Sequence, residues 1–146
     1  MTLTPKKTQT ALAMHACVVM LIGLLGGIGF SYAAAVSDTS SELYRVWKFV
    51  HLEGIINGIM MLAVAGMWHT LRDELTMVKI GKWTLLIGAY CNAIGPWITA
   101  LFIGHRVIQP QTALESFVVY GFYIPGTLPL ISFALFAWVL FRNPKS

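Results

Sequence analysis

Four long apolar runs, at about 11–35, 47–70, 83–104 and 117–141, set the terms on which this chain can fold. Each is long enough to cross a hydrocarbon layer about 30 Å thick as a helix, at roughly 1.5 Å of rise per residue. The connections at 36–46, 71–82 and 105–116 are short and hold much of the charge, with Asp38, Glu42 and Arg45 in the first and Arg72, Asp73, Glu74, Lys79 and Lys82 in the second. No room is left for a soluble domain. The expected fold is all-α, an integral membrane bundle of four transmembrane helices, with residues 1–146 forming one membrane domain.

Composition points the same way: 57% of residues are hydrophobic and 11% charged, against about a quarter charged in soluble domains. The formal net charge of +4 does not make a nucleic-acid surface, because Lys and Arg stand singly or in pairs at the ends of apolar runs, where they mark topology. Lys6, Lys7, Arg72, Lys79, Lys82, Arg142 and Lys145 fall on one side, and Arg45, Lys48 and Arg106 on the other. The excess predicts that both termini are cytoplasmic, in a multi-pass protein of the cell inner membrane. Lys6 and Lys7 before an apolar run ending in Ala33-Ala34-Ala35 resemble a secretory signal, but the run is too long for one. Cys17 and Cys91 lie inside apolar runs and read as small hydrophobes.

The second run concentrates the intramembrane polarity, with His51, Glu53 and Asn57 at depths where an ionisable group is costly and usually faces protein. At 100° per residue, His51, Gly54, Gly58, Leu62 and Ala65 share a stripe, and Glu53 and Asn57 share an adjacent face. Gly54-x-x-x-Gly58 is on one reading a packing motif that admits a neighbouring backbone. On the other, the glycines leave a groove for a flat cofactor whose metal His51 ligates, as proximal histidines do in haem proteins. Zinc is the weaker metal reading, since His15, His69 and His105 show no local ligand spacing.

On the third run Tyr90 and Asn92 point about 200° apart, so one of them is expected to face a given pocket. His15 reads as a satisfied buried histidine, a second haem ligand or a propionate partner. Arg45, Lys48 and Arg106 lie toward the His51 end, as propionate partners or ordinary interface charges. Pro125, Gly126 and Pro129 should kink the fourth helix and free backbone carbonyls, with Tyr120 and Tyr123 about one turn before; the kink serves packing or walls a pocket.

His51-Leu-Glu53-Gly-Ile-Ile-Asn57-Gly58, an apolar run to Trp68, and Gly88-Ala-Tyr90-Cys-Asn92 on the next helix resemble the small four-helix membrane isomerases that include hydroxylaminobenzene mutase and styrene oxide isomerase. The resemblance covers roughly 11–105 and also takes in His15. The HLEG, NG and GxYxN elements look closer to the hydroxylaminobenzene mutases, while the His-x5-Asn spacing is shared with styrene oxide isomerase. It implies haem b with His51 as the iron ligand, Asn57 as a substrate-facing group, and a homotrimer with haem in clefts between subunits. The styrene oxide isomerase tyrosine, four residues past the helix-three asparagine, falls on Pro96, with Trp97 next to it, and an aspartate four residues before it falls on Gly88.

The expected function is a membrane haem b isomerase that rearranges a small aromatic substrate, an arylhydroxylamine to a 2-aminophenol, by Lewis-acid activation at iron held by His51. Its catalytic set is Asn57, Tyr90, Asn92 and Glu53, and its cofactor-binding set is His51, Gly54, Gly58, Lys48 and Arg45. The alternatives are epoxide-to-aldehyde isomerisation, a noncatalytic haem protein acting as redox carrier or sensor, and a cofactor-free transporter that uses Glu53 as coupling carboxylate.

Overall fold

A computed structural model of the chain describes residues 5–71 and 75–142; Arg72, Asp73, Glu74 and Lys145 of the charge count lie outside them. The described residues are helical and contain four helices long and apolar enough to cross a membrane, at 6–36, 42–70, 76–103 and 113–142. Each outruns the stretch expected from apolarity alone. Hydropathy marks only the part that sits in hydrocarbon, whereas the helices continue into the interface. There α1 (Pro5–Val36) carries Lys6 and Lys7, and α2 (Glu42–Met67) carries Glu42 and Arg45. At about 1.5 Å per residue, 28 to 31 residues exceed a 30 Å core, so the helices tilt or protrude.

The start of α2 is set by Ser41, whose hydroxyl accepts from the Tyr44 amide, satisfying a donor that the first turn leaves open. The helix α3 (Thr76–Ile98) runs into a π turn, Thr99–Ile103, and stops at Gly104, whose φ of 81° is left-handed; a side chain there would be strained. The fourth span is broken, as its prolines predict. A short α4 (Ala113–Val118), capped by a reciprocal Thr112–Glu115 box, leads into a π turn at Val119–Tyr123 and a 3-10 turn at Pro125–Thr127, and then α5 (Leu128–Arg142) completes the crossing.

The spans pack in chain order, α1 on α2, α2 on α3 and α3 on α5. The α1–α2 seam is made of glycines. A Cβ added at Gly23 would lie 2.6 Å from the Ile55 nitrogen, and one at Gly58 would lie 2.7 Å from Met20 Cβ. Such an approach lets two backbones gain dispersion contacts that apolar side chains alone do not provide in lipid. The apolar core gathers at the opposite end from His51, around Leu12, Ala16, Met61, Val64, Trp68, Val78, Leu85 and Phe136. Asn57 and Thr99 are buried outside this core, while Ser132, also buried, bonds Thr84 within it.

Candidate functional site

His51 is half-buried in the α1–α2 seam. Its Nδ1 lies 3.0 Å from the Gly23 carbonyl oxygen, and its ring stacks on Phe30, with centroids 5.8 Å apart at 18°. A carbonyl only accepts, so Nδ1 carries the proton and donates it. That assigns the tautomer and leaves the Nε2 lone pair, which has no hydrogen bond among the described residues, available to a metal. Gly27 makes room for the ring, since a Cβ there would stand 2.9 Å from Nδ1. A group held by one imidazole therefore fits His51. Among the described residues no three His, Cys, Asp or Glu side chains converge.

The groove expected at Gly54 and Gly58 is corrected by the packing. Within the chain it is filled by α1, where Gly54 meets the Gly23 backbone and Gly58 meets Met20. These two glycines admit a helix, and the space they would offer to a flat ring is occupied. Lys48 sits one turn before His51 on nearly the same face of α2, 5.9 Å from the Tyr44 ring centroid. Arg45, a turn earlier, is exposed and pairs with Glu42 at 3.2 Å. The Arg106 backbone donates to the same Glu42 carboxylate.

Glu53 and Asn57 face the other way, toward α3 and the break in the fourth span. They line a cavity of about 350 Å³ together with Ile56, Met60, Asn92 and Phe133. The Asn57 amide donates to the Glu53 carbonyl at 2.8 Å and to Glu53 Oε2 at 3.0 Å, and the Asn92 amide donates to Asn57 Oδ1 at 3.2 Å and to the Gly126 carbonyl at 2.9 Å. A Cβ at Gly126 would overlap Asn92 Oδ1, so a larger residue there would displace the Asn92 carboxamide. Ile56, Leu130 and Phe133 border the cavity and are exposed. An aryl ring suits these walls, and its heteroatom suits the carboxyl edge.

Tyr90 does not line this cavity. Its hydroxyl meets His15 Nδ1 at 2.9 Å, and the two rings stand edge to face. Of the pair two residues apart on α3, Asn92 faces the pocket and Tyr90 faces α1. His15 cannot join His51 on one iron within the chain, because His51 sits at the level of Gly23 and Gly27, roughly 12 to 18 Å along α1 from His15.

Several contacts lie beyond the reach of sequence. Pro125 has no N–H for the Gly121 carbonyl, which instead receives the Cys91 thiol at 3.9 Å. The two π turns are joined by a 2.7 Å hydrogen bond between Thr99 Oγ1 and the Tyr123 hydroxyl. The Trp97 indole donates to the Ile22 carbonyl at 3.3 Å and ties α3 to α1 beside the His51 seam.

A family model described as styrene oxide isomerase matches residues 8–141, almost the whole chain and well beyond the stretch that carries the motif resemblance. No curated protein and no solved structure matches it. The leaning of the HLEG, NG and GxYxN elements toward hydroxylaminobenzene mutase finds no support in these comparisons.

Proposed function

Because the chain belongs to the styrene oxide isomerase family, we propose that it is a membrane haem b isomerase that converts a small aryl epoxide to an aldehyde. The observation that carries the reading is the His51 imidazole, held by Gly23 in the tautomer that offers Nε2 to iron. His51 would hold the haem, with Lys48 and Arg45 on the same end of α2 as partners for its carboxylates. When bound, the iron supplies a Lewis acid that favours charge developing on a substrate oxygen.

The residues of the chain do the rest. Ile56, Met60 and Phe133 exclude water from a cationic reaction centre and hold the aryl ring. Glu53, as the carboxylic acid, donates its O–H to the epoxide oxygen. Aryl substrates partition into the bilayer and reach the cavity sideways, past Leu130 and Phe133.

His51 and the Glu53 cavity lie on opposite flanks of α2, about 160° apart at two residues of separation. One chain cannot present both to one substrate. A working site therefore combines His51 of one copy with the Glu53 cavity of another, in keeping with the homotrimer and intersubunit haem that the resemblance implies. The Lys and Arg excess supports a cytoplasmic side for both termini.

The test is the absorption spectrum of protein purified in mild detergent, together with product analysis. A Soret band that His51→Ala abolishes, with aldehyde formed from styrene oxide, is the expected result. No Soret band under adequate haem supply would end the haem reading. Turnover of phenylhydroxylamine to 2-aminophenol, with styrene oxide left intact, would replace the epoxide reading with the mutase one.

A further inference from the structure

The hydrogen bonds around Asn57 narrow what is left for a ligand to Glu53 Oε1 and Asn92 Oδ1, and Asn92 Oδ1 lies against Gly126. Asn57 is buried, 3% exposed. Asn57 and Asn92 each have one backbone carbonyl among their hydrogen-bond partners, that of Glu53 for the first and that of Gly126 for the second. Since a carbonyl only accepts, neither carboxamide can be turned over. Each primary amide has two N–H groups, and in both residues each has a recipient: the Glu53 carbonyl and Glu53 Oε2 for Asn57, and Asn57 Oδ1 and the Gly126 carbonyl for Asn92. Asn57 Oδ1 is itself taken by Asn92. The remaining carboxyl oxygen, Glu53 Oε1, makes no hydrogen bond among the described residues, and Glu53 lines the cavity.

We infer that Asn92, anchored by donating to the Gly126 carbonyl, and Asn57 form a relay, from Asn92 to Asn57 to Glu53, that positions the Glu53 carboxyl, and that Glu53, not Asn57, touches the substrate heteroatom. This rests on the isomerase reading of the cavity and deepens it. Asn57 and Asn92 are positioning residues. The relay is anchored at the break in the fourth span, where the Gly126 carbonyl accepts from Asn92 and a side chain at Gly126 would displace the carboxamide, so the kink acts on the site through hydrogen bonding as well as shape. Donation by Asn92 polarises the Asn57 amide and strengthens its bond to Glu53.

Two measurements on the haem-loaded protein in lipid nanodiscs test the inference. The first is the infrared carboxyl band of Glu53, identified as the band that Glu53→Gln removes. Asn57→Val and Asn92→Val should both move it, although Asn92 does not touch Glu53, while Met60→Leu on the cavity wall leaves it in place. The second is kinetics with styrene oxide. Glu53→Gln should lower kcat by about 100-fold or more, and Asn57→Val and Asn92→Val by about tenfold each, with KM changed less than about twofold because apolar burial dominates binding. If bulk prevents folding, Asn57→Ala and Asn92→Ala carry the same expectations.

An unmoved band in the Asn92 variants overturns the relay. Asn57 variants that abolish turnover while Glu53→Gln keeps it overturn the assignment of the contact. If the wild-type protein shows neither haem nor isomerisation, the isomerase reading fails and the contact assignment falls with it, and the infrared arm still decides the relay.

Discussion

His51 and Gly23 are joined by a single hydrogen bond of 3.0 Å, from imidazole Nδ1–H to main-chain carbonyl, across the seam where α1 and α2 approach most closely. One bond thus links the packing of two membrane helices to the tautomer and orientation of an imidazole. Anything that shifts α1 against α2 turns the ring.

Gly27→Ala tests that link directly. The added methyl would stand 2.9 Å from His51 Nδ1 and 3.0 Å from Cε1, so the ring must rotate off the Gly23 carbonyl. Losing such an orienting partner typically weakens metal binding by about 10- to 100-fold. Titration of the haem-free protein with haem should show that drop.

Two glycines on α2 make a matched pair for stability. Gly54→Val forces apart two backbones already in contact and should cost about 1–3 kcal/mol or more. Gly66→Ala meets nothing within 4 Å and should stabilise by about 0.5–1 kcal/mol through helix propensity. Unfolding midpoints in mixed micelles should separate the two in opposite directions.

Co-expression tests the shared site. His51→Ala and Glu53→Gln should each be inactive alone, yet random co-assembly regenerates intact sites at about one quarter of the positions if His51 and Glu53 come from different copies. Tandem purification removes the homotrimers, and each mixed trimer keeps one intact interface of three, so its specific activity should recover to about one third. No recovery would mean that both groups act from one chain.

Removing the bond between the π turns, by Tyr123→Phe or Thr99→Val, should cost about 0.6–1.7 kcal/mol. The double variant should cost no more than the larger single one, because both lose the same 2.7 Å contact. Thermal denaturation of the three variants checks it.

The four spans were legible because continuous apolarity reports directly on hydrocarbon thickness. The His51–Asn57 polar set stood out because ionisable groups are rare at that depth. What filled the Gly54/Gly58 face was not legible. Its partner, Gly23, lies on another helix, and only the cluster Gly23, Gly26, Gly27 and Gly29 within GLLGGIG hinted at a second small-residue face. That Tyr90 and Asn92 diverge follows from the helical period; which of them meets the cavity depends on where α5 and Gly126 sit, and local spacing carries no such information. The His15–Tyr90 pair spans 75 residues and depends on the register of α1 against α3. Sequence places Glu53 among the candidate catalytic residues but does not show its hydrogen bond from Asn57, or the one that Asn57 accepts from Asn92, 35 residues away on α3.

The cavity bordered by Ile56, Leu130 and Phe133 opens among side chains that are themselves exposed on the apolar flank of the bundle. The bilayer is then a reservoir, and the concentration the enzyme experiences is substrate per lipid rather than substrate per volume of water. At fixed total substrate, adding empty vesicles or detergent should slow turnover by surface dilution, while a more water-soluble ring-substituted analogue would be penalised even if it fitted the cavity equally well.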